Sequence, residues 1–216
     1  MTANAHAPGV PGALQATLET LYDVRSPARV EEYLVDDPGT ARALDPNGRE
    51  NLEKLLIREA PDTVDLSLYL APDTLDRLRH DNPFVALNES NLAAFCTVLE
   101  GVSHLTYAAC NAAANKSITL LELELQAEVD KFAVASLLLR RQVRRPQHRA
   151  LMYRFFGRAR FSQALNRREL ERYAHASDAA GRFCARVMRP GRSARHRLAD
   201  LRRFYRMPKL DKLAAC

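Results

Sequence analysis

Long apolar runs are missing from this sequence. Its uninterrupted hydrophobic stretches extend only a few residues, as in Phe132-Ala133-Val134-Ala135, against the roughly 20 that a membrane-spanning helix needs. The opening Met1-Thr2-Ala3-Asn4-Ala5-His6 lacks the basic start and apolar core of a secretory signal. Both absences argue against membrane and secreted classes, and no transmembrane segment is expected. Cysteine is scarce as well: there are four, and none forms a Cys-x-x-Cys pair, which removes zinc-ribbon and thioredoxin-like readings. Cys96 and Cys110 share one helical pattern, which holds them about 21 Å apart, whereas a disulfide wants Cα atoms about 5.5 Å apart. Cys184 is remote, and Cys216 is the last residue, not the fourth from the end as a prenylation box requires. Free thiols in a reducing, cytoplasmic setting are the expectation.

Familiar catalytic signatures are absent too. The chain has no Gly-x-x-x-x-Gly-Lys-Ser/Thr phosphate loop, no Gly-x-Gly-x-x-Gly turn, no Gly-x-Ser-x-Gly elbow and no His-Glu-x-x-His helix. Gly101-Val102-Ser103-His104 has a hydrolase-like look, but it falls in mid-helix, where Ser103 faces the core and lacks the exposed strained turn of a nucleophile. Internal repeats and low-complexity tracts are also missing.

What remains is an ordinary globular composition, 216 residues with 47% hydrophobic and 27% charged. That suits one compact domain or two small ones, and a chain of this length buries roughly 70% of its extended surface without metal or disulfide support. The net charge of +6 conceals a division. Residues 1–139 hold 10 Lys/Arg and 21 Asp/Glu, a net of −11, whereas residues 140–216 hold 22 and 5, a net of +17. Only Lys209 and Lys212 are lysines in the second part; the rest is arginine, whose planar fork suits phosphate and carboxylate. Such a division fits either an anionic partner or the docking of one part of the chain on the other.

Pro8, Gly9, Pro11 and Gly12 mark a loose arm, followed by a short helix over 13–23. Ser26-Pro27 reads as the start of a helix that stops before Pro38-Gly39. Asp45-Pro46 repeats the signal, and Leu52, Leu55 and Leu56 predict a helix up to Ala60-Pro61. The period then changes: Val64, Leu66, Leu68 and Leu70 alternate with polar residues, as in a half-buried strand. That strand needs a partner, which the sequence does not place. Asp73 caps a helix to about His80. From Asn91 to about Ala113, Leu92, Phe95, Leu99 and Val102 form a stripe, with small Ala93, Thr97, Gly101 and Ala108 on the other side. Thr119 and Glu122, in capping-box register, open a helix to Arg141. These two helices make the expected buried core. A segment over 143–156, a helix from Asn166 to about Arg189 and another from Ser193 to Tyr205 follow.

Two constellations carry chemistry. Glu100 and His104, and likewise Glu124 and Glu128, stand four apart on the flanks of the two central helices. Together they can enclose a metal, as carboxylates do in helical bundles, or share a proton for acid–base work. A structural alternative pairs Glu100 with His104 and Glu128 with Lys131. In the basic part, Arg168, Arg172, His175, Arg182, Arg186 and Arg189 fall within about 100° of arc on one helix. Upstream, Arg154, Arg158 and Arg160 interleave with Tyr153, Phe155, Phe156 and Phe161, and arginine with aromatics can contact phosphates and stack bases.

The expected fold is mainly α, a helical bundle with a two-helix buried core, room for a minor β-strand pair and a basic C-terminal helical segment. Its parts are an arm over 1–12, an acidic helical core domain over 13–141, a basic helical segment over 142–206 and a tail over 207–216. The expected function is a non-enzymatic binding or adaptor role through the nine basic residues just named. Its partner would be DNA or RNA, or an acidic protein surface, with no cofactor. The alternative is a metalloprotein or acid–base enzyme that uses Glu100, His104, Glu124 and Glu128 with a divalent metal.

Overall fold

In the computed structural model of the protein, residues 9–60, 63–143, 148–157 and 166–216 are described. Helix α1 (Val10–Tyr22) carries Pro11 in its first turn and ends on Asp23 in the left-handed region, at φ 55°. Gln15 then fastens the following loop: its amide donates to Ala28 O at 2.6 Å and its oxygen accepts from Val30 N at 2.8 Å. The short α2 (Val30–Tyr33) leads into β1 (Leu34–Val35), then α3 (Pro38–Leu44), β2 (Glu53–Ala60), β3 (Thr63–Leu70) and α4 (Pro72–His80). The long helices α5 (Leu92–Ala113) and α6 (Leu120–Gln142) come next. They are followed by α7 (His148–Met152) with a π-helical turn at Tyr153–Gly157, α8 (Arg167–Val187), α9 (Ala194–Arg206) and α10 (Lys209–Ala214). The fold is mainly α with a small mixed sheet of order β1-β3-β2, in which β1 runs parallel and β2 antiparallel to β3.

Several local expectations are corrected. The partner of β3 is β2, within a segment whose leucines predict a helix. Asp45-Pro46 opens a turn instead, closed by Gly48 N donating to Asp45 O at 3.1 Å. Leu55 and Ile57 then pair with Leu68 and Leu66 across the hairpin, so cross-strand burial overrides a short helical stripe. Ser26-Pro27 does not open a long helix, because the Ser26 hydroxyl turns back onto Ala28. Pro38 begins a helix where it was expected to end one: Asp37 accepts from Thr40 N at 2.6 Å, and those bonds hold its carboxyl below the ordinary range. The expected arm gives residues 10–12 to α1. The expected tail becomes α10, whose Lys212 is fully buried.

The central pair is buried as expected. α5 lies against α1, α4, α6 and the sheet, and the small Gly101 faces that sheet. A Cβ at Gly101 would come within 2.7 Å of Leu68 Cδ1 and 2.8 Å of Glu53 Cγ. By length and composition α5 would also suffice to cross a membrane, but most of its apolar stretch is buried inside this fold. α6 begins with the Thr119–Glu122 capping box. It gives Leu123, Val134, Ala135 and Leu138 to the core around α5, and Leu125, Val129 and Phe132 to a second core with α8 and α9. There Phe183 stacks on Phe204 with ring centroids 4.0 Å apart. α9 also grips the end of α1: Arg202 donates to Leu21 O and Thr20 O, and Arg206 to Tyr22 O and Asp23 O. Cationic side chains here satisfy the free carbonyls and the negative dipole end of a helix.

Candidate functional site

The close approach at Gly101 lets β2 deliver Glu53 to the flank of α5, beside His104. The imidazole Nδ1 lies 3.3 Å from Glu53 Oε1. Its Nε2 points to Glu124 Oε2 on α6 at 3.7 Å, too long for a hydrogen bond, and is a buried polar atom without a partner. Donor atoms of Glu100, His104 and Glu124 all lie within 4.8 Å of one another. Three of the four acid and histidine residues singled out from spacing therefore meet. The fourth, Glu128, takes Lys131 at 2.8 Å, and the same ammonium holds Glu100 at 2.8 Å. From α8, Arg172 Nε stands 3.8 Å from Glu124, and Tyr173 hydrogen-bonds the same carboxylate.

Burial of this many charges forces large shifts in proton affinity. Burial pushes Glu124 up to about 7, with the opposing charge of His104 too weak to hold it down. Burial by itself would lower His104, but the Glu53 hydrogen bond and the surrounding carboxylates outweigh it and hold the imidazole at about 9. Burial also raises Glu53, whereas Lys131 keeps Glu100 below its ordinary value against the same burial.

The arginine set is not assembled in this way. Arg172 turns inward to Glu124, and Arg186 caps the carbonyl of Ala215 and lies over the Phe183 ring. Arg182 pairs with Asp178 and Arg154 with Glu89, while Arg168, His175 and Arg189 are exposed. Arg158 and Arg160, with Phe161, lie outside the described residues. Ala176, Ala179 and Phe183 are buried, so the face of α8 that packs inward borders the arginine arc instead of lying opposite it.

A second buried polar set was not expected from spacing. Asp130 accepts from Ser103 Oγ at 2.6 Å, from Gln126 Nε2 at 2.8 Å and from the Tyr22 hydroxyl. Gln126 accepts in turn from Lys212 Nζ at 2.7 Å, which also donates to Tyr107 OH at 2.9 Å. The ammonium sits over the rings of Tyr107, Phe204 and Tyr205. Burial lowers Lys212 to about 7. A lowered folded value means stability that is present above the unfolded value of about 10.4 and is lost as pH falls through about 7. Relative to Lys212→Met, which cannot titrate, the native chain should therefore gain about 2 kcal/mol between pH 7 and 9. Urea unfolding of both proteins at the two pH values measures this. A constant gap would show that Lys212 does not change its proton affinity on folding.

No family profile, no curated protein and no solved structure matches this chain.

Proposed function

We propose that the protein is a helical metalloprotein with one divalent-cation centre at Glu100, His104 and Glu124. One observation carries the reading: His104 is 7% exposed and its Nε2 is buried and bare beside Glu124, while its Nδ1 meets a carboxylate. A carboxylate on the far nitrogen is what fixes the ring and tautomer of a metal-bound histidine. One nitrogen and two carboxylates suit Zn²⁺, Mn²⁺ or Fe²⁺, the ion displacing the proton that His104 otherwise holds. Lys131 already neutralises Glu100 and Glu128, where a second ion would bridge them, so the centre is mononuclear. Three protein donors leave coordination free for a water or substrate oxygen.

Protein purified and dialysed should retain near-stoichiometric metal, and His104→Ala should remove most of it. Glu53→Gln should keep the stoichiometry but weaken affinity about 10- to 100-fold, the usual effect of losing an orienting partner. Metal analysis that finds none, with a melting temperature unmoved by added Zn²⁺, Mn²⁺ or Fe²⁺, removes the proposal, since binding to the native state must stabilise it.

A second reading has its own observation. Arg168 and His175 on α8, and Arg189 just past its end, are exposed with no acidic partner among the described residues, which supports a non-enzymatic adaptor role toward DNA or RNA through phosphate contacts. Neutralising about three phosphates would give a slope near −2.7 for log affinity against log salt on duplex DNA. No binding at about 50 mM salt, where phosphate contacts are strongest, would eliminate it.

A further inference from the structure

Two lysines are buried among the described residues, and their surroundings differ. Lys131 meets the Glu100 and Glu128 carboxylates, each at 2.8 Å, and stays charged. Lys212 makes no ion pair among the described residues. Its Nζ donates to two neutral acceptors, Tyr107 OH at 2.9 Å and Gln126 Oε1 at 2.7 Å, and the rings of Tyr107, Phe204 and Tyr205 enclose the rest. A neutral amine has two N–H groups and both are used here, whereas an ammonium has a third, which meets only ring faces. Asp130 is bonded to this group only through Gln126, and its oxygens already accept from Ser103, Gln126 and Tyr22.

The helix that carries Lys212 has little else to hold it. α10 has six residues, too few to persist without tertiary contacts, and Lys212 is its one fully buried residue, while Leu210 is 78% exposed. Leu213 and Cys216 pack at the edge of the second core, and Arg186 donates to the Ala215 carbonyl. Docking of α10 therefore requires burial of an amine, which favours the uncharged form. We propose that α10 is a pH-operated latch, docked by the neutral Lys212 amine and loosened when that amine takes a proton, which uncovers the Tyr107, Phe204 and Tyr205 rings. The groups that face Lys212 are Tyr107 from α5, Glu122 and Asp130 from α6, Tyr205 from α9 and Cys216 from α10, with Arg182 and Arg186 of α8 beside Cys216. Burial raises both tyrosines and Cys216 and pushes Asp130 up to about 6, and Glu122 is committed to the Thr119 capping box. Lys212, lowered by burial to about 7, returns to about 10.4 on release. Docking thus weakens about tenfold per pH unit as pH falls from about 10 toward 7, and levels off below.

Millisecond pulses of hydrogen exchange on the full chain, read by mass spectrometry, test the latch. Protection of residues 209–216, referred to an unstructured peptide of the same sequence, should rise on the order of 10- to 50-fold between pH 7 and pH 9. In Lys212→Met, whose apolar chain suits the same cage and cannot titrate, protection of α10 should be the same at both pH values. Residues 98–102 of α5 should exchange at least about 100-fold more slowly than α10, because the latch opens while the core stays closed. A flat profile in the native protein, the same rise in Lys212→Met, or equal protection of α10 and α5 would overturn the proposal.

Discussion

Replacing Asp130 with Leu should cost about 3–5 kcal/mol, the usual penalty for leaving buried polar partners uncompensated. Three side chains donate to this one carboxylate: Ser103, Gln126 and Tyr22, from two different helices besides its own turn of α6. Each of the three donor residues is itself buried, so none can turn to solvent when the acceptor is lost. Gln126 has the further task of holding Lys212, and a displaced Gln126 would leave an ammonium in an apolar cage. Leucine is larger than aspartate, so no cavity is left, and the loss would come from unpaired polar groups together with overpacking at this buried position. The melting temperature should fall by roughly 8–15 °C for a chain of this length. Asp130→Asn keeps an acceptor oxygen but presents an amide donor to donors, and should cost about 1–3 kcal/mol. Equal small effects for both variants would show that water replaces the network.

Gly101→Val should have the second largest effect, about 2–3 kcal/mol, and should also weaken metal affinity about 10- to 100-fold, as Glu53→Gln does. Valine gains roughly 0.4 kcal/mol over glycine in helix propensity, which opposes the loss. However, its Cβ would meet Leu68 Cδ1 at 2.7 Å and Glu53 Cγ at 2.8 Å, and overpacking of this kind costs about 1–3 kcal/mol before the added methyls are counted. Relief requires the β2–β3 hairpin to move off α5, which withdraws Glu53 from His104. Alanine at the same position should cost less than valine, because its helix gain of about 1 kcal/mol nearly offsets the milder clash. Urea unfolding and metal analysis on the two variants separate the terms. An unchanged metal affinity in Gly101→Val would mean that the sheet does not orient His104.

Features governed by near neighbours were legible in the sequence. The Thr119–Glu122 and Asn166–Glu169 capping boxes both form, and Gly101 of α5 does admit the close approach of the β2–β3 hairpin. Glu100, His104 and Glu124 could be drawn together because they lie on two long helices whose faces follow from period alone. Glu53 could not, since its segment carries a helical leucine stripe and becomes a strand only by pairing across the hairpin. Lys131 looked like a partner of Glu128 one turn away, which it is, but its bond to Glu100 depends on how the two helices meet. Lys212 was the least legible. A lysine among polar residues near a chain end reads as solvated, and only the meeting of Tyr107, Phe204 and Tyr205 makes a place for it. The inward turn of Arg172 and Arg186 was not legible for a related reason: angular position on a helix says nothing about which direction the rest of the molecule occupies.

The placement of α6 between two cores has a consequence for cooperativity. Leu123, Val134, Ala135 and Leu138 face one core, and Leu125, Val129 and Phe132 the other, so this helix has no flank that belongs to one half alone. Should the basic half peel away, the second set of apolar side chains and the charged Glu124 and Asp130 would be hydrated on a helix still held from the other side. Such a partly open state loses the burial of one core and recovers little chain entropy along α6 itself. The acidic and basic halves differ in charge by 28 units, yet a single cooperative transition is expected of them, because they share their central wall.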